Sequence, residues 1–121
     1  PAYLKQVLQL IVHDPAHITD ELISERFRIL QTQNPAVFKR MVIPNITERL
    51  GDIQCPVLGF WGAQDRFCPI SGAERLVTGC KQAQVITLSD CGHWVMIEHA
   101  DLFNQRGVEF LRSKKTQGQA A

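Results

Sequence analysis

Pro56-Val57-Leu58-Gly59-Phe60-Trp61-Gly62-Ala63-Gln64-Asp65-Arg66-Phe67 and Gln84-Val85-Ile86-Thr87-Leu88-Ser89-Asp90-Cys91-Gly92-His93-Trp94 decide how this chain folds. Each is a short apolar run rich in β-branched and aromatic residues, bounded by turn formers, and each reads as a strand. Between them, from Pro69 to Cys80, Ala73, Leu76, Val77 and Cys80 fall on one helical face. Strand, helix, strand is a βαβ unit, and its two strands are expected to run parallel. The loops leaving neighbouring parallel strands open on one edge of the sheet, where ligands of open α/β sheets bind. The first loop carries Asp65 and the second carries His93.

That pairing has a chemical meaning. Imidazole titrates near neutrality and can accept and return a proton at working pH. A carboxylate on its other nitrogen fixes the tautomer and stabilises the imidazolium. Asp65 and His93 are therefore the expected catalytic acid and base. A complete triad also needs a nucleophile on a sharp strand-to-helix turn, commonly G-x-S-x-G. The serines are Ser24, Ser71, Ser89 and Ser113, and none has that setting. Cys91 shares a loop with His93 and reads as a small packing residue. The chain alone is accordingly expected to be inactive, since loss of a triad nucleophile costs about 10⁶ in turnover.

Outward from this centre the pattern changes. Leu4, Val7, Leu8, Ile11 and Val12 recur with helical spacing over residues 3–14, and Asp14-Pro15 ends that helix. Thr19 is placed to cap a second helix, with Asp20 and Glu21 in its first turn and Ile18 and Ile23 at the spacing of a hydrophobic staple. Asn34-Pro35 opens a third, short helix to Val42, and Asn45 caps a turn over Ile46 to Leu50 that Gly51 closes. Ala100 to about Arg112 is the last helix, with Phe103, Phe110 and Leu111 on one face. Residues 1–44 are thus helical, 45–112 are α/β, and 113–121 are small and polar, an expected frayed tail. Two strands leave unpaired edges and uncovered faces, so the chain reads as part of a larger sheet protein. Another polypeptide segment, or a second copy meeting the sheet edge, is expected to complete it.

Composition narrows the class. Of 121 residues 45% are apolar and 21% charged, with net charge +1, which excludes an electrostatic case for nucleic acid or an anionic membrane. No apolar run reaches the ~20 residues that span a bilayer. The chain begins at Pro1 without an initiator Met or a signal peptide, which suggests processing or a fragment. Cys55, Cys68, Cys80 and Cys91 form no C-x-x-C pair and read as reduced thiols of a cytoplasmic protein. His93, Glu98 and His99 lack the i, i+4 spacing of a helical metal pair, so no metal is expected.

Gly62-Ala63-Gln64-Asp65-Arg66-Phe67 and Cys91-Gly92-His93-Trp94, followed by Glu98-His99-Ala100-Asp101-Leu102-Phe103-Asn104, resemble the C-terminal part of α/β-hydrolases. The similarity is greatest to the meta-cleavage product hydrolases of bacterial aromatic degradation. Leu4 to Leu8 and Ile18 to Phe27 resemble the latter half of their helical lid. The resemblance makes 1–44 a lid remnant and 45–112 the last two strands of the hydrolase core with flanking helices. It implies Asp65 and His93 as triad acid and base, Arg26 as a contact to the substrate's dienoate carboxylate, and Trp94 as a pocket wall. It also implies carbon–carbon bond hydrolysis without metal or organic cofactor, the serine elbow and oxyanion donors lying outside this chain. Carboxylic ester cleavage uses the same triad and is the alternative. A non-catalytic oligomerising module is the rival from another class.

Overall fold

Val57, Leu58, Phe60 and Trp61 favour extended backbone, and residues Val57–Gly62 form β1. In a computed structural model describing residues 2–40 and 42–118, this strand pairs in parallel with β2, Ala83–Leu88, from Val57↔Ala83 to Gly62↔Leu88. Around them lie α1 (Ala2–Ile11), α2 (Asp20–Thr32), α3 (Pro35–Arg40), α4 (Ser71–Gly79), α5 (Val95–Glu98) and α6 (Ala100–Gly118). The 3₁₀ turn Pro15–His17 joins α1 to α2, and a second, Thr47–Asp52, joins the helical half to the sheet.

Alternation along the strands assigns their faces. Leu58, Gln84 and Ile86 line a hollow with Leu102 and Phe110 of α6, and Phe60 meets Phe103 ring to ring at 4.7 Å. On the other face Leu76 of α4 and Val85 of β2 approach Gly59, and the Trp61 ring lies against Gly72. The expectation of a strand fully covered on both faces is not met: along β1 only Gly62 is buried, and the rest is half-buried. One amphipathic helix per face shields two strands incompletely. Val77, expected inward, is 50% exposed, and Leu111 is 69% exposed.

A buried apolar cluster sits in the helical half. Leu8, Val12, Ile18 and Ile23 form it, and Leu4, Ile11, Leu22 and Trp94 pack against it. Thr19 Oγ1 accepts from Leu22 N at 3.2 Å and caps α2 as expected. Asn34 and Asn45 accept from Ala36 N and Thr47 N, ordering the starts of α3 and the second 3₁₀ turn. Helix α1 stops at Ile11, short of the expected residue 14, because the next amides are taken by Glu98, described below. At the other end α6 continues to Gly118, so the expected tail from 113 begins as helix, while 119–121 lie outside the described residues. Among the described residues no helix is long and apolar enough to cross a membrane.

Candidate active site

The parallel register brings the ends of β1 and β2 side by side, and main-chain bonds stitch the following loops together. Ala63 N donates to Leu88 O at 2.8 Å and Gln64 N to Cys91 O at 2.9 Å. Gln64 Oε1 in turn accepts from Cys91 N at 3.1 Å. The loops can approach this closely because Gly62 and Gly92 lack side chains. A Cβ at Gly62 would collide with the carbonyl oxygens of Gly92 and Cys91, and one at Gly92 with the Ile11–His13 backbone. Among the described residues no glycine has a positive φ, so Gly92 is required for space and not for an unusual conformation.

Asp65 divides its two oxygens between structure and chemistry. Oδ1 accepts from Phe67 N at 2.8 Å and Cys68 N at 2.9 Å, which folds the loop around the carboxylate. Oδ2 faces His93 Nδ1 at 2.9 Å. The Asp65 side chain is 5% exposed and that of His93 40%, so a shielded anion orients an accessible imidazole. Burial on its own raises the Asp65 pKa, but the Cys68 amide, the His93 ring and the Phe67 amide outweigh it, and the carboxyl lies below its ordinary range. An ionised carboxylate at Nδ1 selects the Nδ1–H tautomer, leaving the Nε2 lone pair outward as a base. Among the described residues no serine hydroxyl is bonded to Nε2.

Cys91 is fully buried, and burial, with the Glu98 and Asp65 charges, raises its thiol to about 11. It stays protonated and is no nucleophile. This agrees with its reading as a packing residue.

Glu98 is the site residue that the sequence did not reveal. Its Oε1 accepts from Gly92 N at 2.7 Å, and its Oε2 from His13 N at 2.6 Å and Asp14 N at 3.2 Å. His93 N donates to Ile11 O at 2.7 Å. The histidine loop is therefore clamped between α5 and the α1–α2 junction. The available signal was an acid in the first turn of the short helix after the histidine loop. Two of its partners, the His13 and Asp14 amides, lie more than eighty residues away in sequence and were not legible.

Arg26 and Trp94 also meet. The guanidinium carbon lies 5.4 Å from the Trp94 ring centroid, within cation–π range. Trp94 is half-buried and packs against the α1–α2 cluster as well as beside Arg26. His93, Glu98 and His99 have no usable metal spacing along the chain. The fold instead gathers donor atoms of Asp65, Cys68 and His93 within 4.8 Å of one another.

Two parallel strands that present an acid and a histidine on adjoining loops are a feature of one hydrolase class. The α/β-hydrolase fold family matches residues 3–100, and the chain belongs to it. Within that class it is 34% identical over 125 residues to a 2-hydroxy-6-oxo-6-phenylhexa-2,4-dienoate hydrolase of Comamonas testosteroni, covering 94% of this chain and 43% of that protein. It is 36% identical over 117 residues to a 2-hydroxy-6-oxononadienedioate/2-hydroxy-6-oxononatrienedioate hydrolase of the same species, covering 89% and 41%. A mutant meta-cleavage product hydrolase from Pseudomonas fluorescens IP01, complexed with acetates, superposes with a TM-score of 0.75 at 25% identity, over 93% of this chain and 46% of that one. The chain thus spans about two-fifths of the length of the curated relatives it matches.

Proposed function

We propose that these residues supply the acid–base half of a serine-type α/β-hydrolase that cleaves a carbon–carbon bond in a meta-cleavage product of aromatic degradation. The observation that carries the reading is the 2.9 Å contact of His93 Nδ1 with the shielded Asp65 carboxylate, at the carboxyl ends of two parallel strands. The names of the relatives support the substrate class. On this reading His93 Nε2 takes the proton of the attacking hydroxyl or water and returns it to the departing carbon fragment, while Asp65 steadies the imidazolium. The nucleophile and oxyanion donors come from further strands of the same enzyme, joined along the free edge of the two-stranded sheet. Arg26, held against Trp94, is the residue we assign to the substrate carboxylate. The reaction needs no metal or organic cofactor, and four free thiols suit a cytoplasmic setting.

The test is hydrolysis of a 2-hydroxy-6-oxo-dienoate by the full polypeptide carrying these residues, followed by loss of the conjugated absorption. Turnover is expected, with His93→Ala lowering kcat by about 10⁶ and Asp65→Asn by about 10⁴. Arg26→Ala is expected to raise KM for the dienoate but not for an uncharged ester. Efficient ester cleavage with no dienoate turnover would replace the carbon–carbon reading. A sample whose denatured intact mass shows this chain alone, self-associated and inert to both substrates, would favour the oligomerising module.

A further inference from the structure

The donor set at the acid–histidine pair differs from what hydrolysis alone requires, because a thiol joins it. Cys68 lies three residues beyond Asp65, in the loop that the Asp65 carboxylate folds by accepting from Phe67 N and Cys68 N. Its Sγ, an oxygen of Asp65 and a ring nitrogen of His93 lie mutually within 4.8 Å, the one such group of metal-competent side chains among the described residues. A pocket of about 110 Å³ adjoins all three and is also lined by Gly62, Trp61 and Val95.

We propose that Asp65, Cys68 and His93 form a binding site for a borderline-soft divalent cation, Zn²⁺, which occupies the position of the proton between Nδ1 and Oδ2. One sulfur, one nitrogen and one oxygen donor match zinc, whereas magnesium and calcium take oxygen donors. Metal–ligand bonds near 2.0–2.3 Å put tetrahedral ligand atoms about 3.3–3.8 Å apart. The nitrogen–oxygen separation of 2.9 Å therefore opens by about 0.4 Å, and Sγ closes in by at most about 1.5 Å, within reach of a side-chain rotation. The Asp65 oxygen that would bind is already aimed, because its other oxygen is held by two amides. The pocket has room for a water as fourth ligand, at about 30 Å³ each.

Protons balance simply. The Cys68 thiol loses its proton to solvent on becoming a thiolate ligand. The neutral imidazole gives Nδ1 to the metal and carries its own proton on Nε2. The lone pair that acts as base then no longer exists, so bound zinc switches the pair off. That consequence rests on the hydrolase reading, whereas binding itself does not.

The 121-residue chain is titrated with Zn²⁺ against a chromophoric chelator, and separately with Co²⁺ as a coloured stand-in. One equivalent of binding is expected, with a thiolate-to-cobalt charge-transfer band and a proton on Nε2 of His93 by ¹⁵N NMR. Cys68→Ser should weaken binding by at least about 10–100-fold and abolish the band, while Cys55→Ser, at an exposed cysteine, leaves both intact. Asp65→Asn, with its fold checked by circular dichroism, should weaken binding without removing the band. No saturable binding, a missing band, or affinity that follows Cys55 and not Cys68 would overturn the site. Tight binding at Cys68 that fails to inhibit the full enzyme would leave the site standing and count against His93 as the base.

Discussion

The loop Cys91–His93 and the segment from Val42 to Ile46 lie in one small chain and are held by opposite means. Cys91, Gly92 and His93 are bonded to Gln64, Glu98 and Ile11, so three consecutive residues are tied to three separate elements. Val42 and Ile43 are 84% and 80% exposed, and Ile46 is 55% exposed. Polar bonds fix the first region, where Cys91 and Gly92 are also buried. The second region is apolar yet covered by little of this chain. Hydrogen bonds between loops can close a site on a two-stranded sheet, whereas apolar side chains are shielded only where a second layer exists. Precision at the acid–histidine pair therefore does not depend on a large core.

Perturbing the stitched region should have the larger effects. Gly62→Ala and Gly92→Ala push a methyl into main-chain atoms that cannot rotate away, and each should lower stability by about 3 kcal/mol or more, the upper end for overpacking. Urea denaturation measures this, and equal midpoints to wild type would show that the loops are not closely apposed. Glu98→Ala leaves the buried Gly92 amide without its acceptor and should cost about 1.5–3 kcal/mol, with faster hydrogen exchange at Gly92. Glu98→Gln keeps one acceptor oxygen and should cost less; an Ala variant as stable as the Gln variant would dissolve the clamp.

Acid sharpens the contrast next. The Asp65 carboxyl is depressed in the folded chain, so its contribution is complete above the ordinary value of 3.8 and disappears as pH falls through the lower folded value. Asp65→Asn should flatten the acid limb of a stability-against-pH curve below that value. Glu109 is also depressed, by Gln105 and then Arg106, but it lies at the surface where salt screens it. The Asp65 limb should survive high salt, and its loss there would place Asp65 among the exposed carboxylates. The smallest effect belongs to the other region: Ile43→Ser should change stability by no more than about 0.5 kcal/mol, and a larger loss would mean that something covers it.

Much of this was legible along the chain. Thr19 as a cap, Ile18 with Ile23 as a staple, and the two parallel strands depend on local spacing, and the structure has them. Asp65 and His93 were readable as a pair because each follows a strand. Glu98 was not, since its meaning lies in amides far away in sequence. Cys68 escaped as a donor for a different reason. Helical metal spacing needs its ligands on one element, while the partners of Cys68 stand on the same loop and on the neighbouring one. The α1 end was misplaced by the same long-range bonds, which take amides that a continuing helix would have used.

By itself, then, the sequence determined the βαβ order, the helical half before it, and an acid and a histidine on adjacent strand ends. Those depend on side-chain periodicity and turn chemistry, which act over a few residues. Only the tertiary structure decided that Asp65 splits its oxygens between loop and imidazole, that Glu98 clamps the histidine loop to α1, and that Arg26 stacks on Trp94. Each is a directional contact between distant segments, set by how closely two backbones approach, and that distance is fixed where Gly62 meets the Cys91–Gly92 carbonyls.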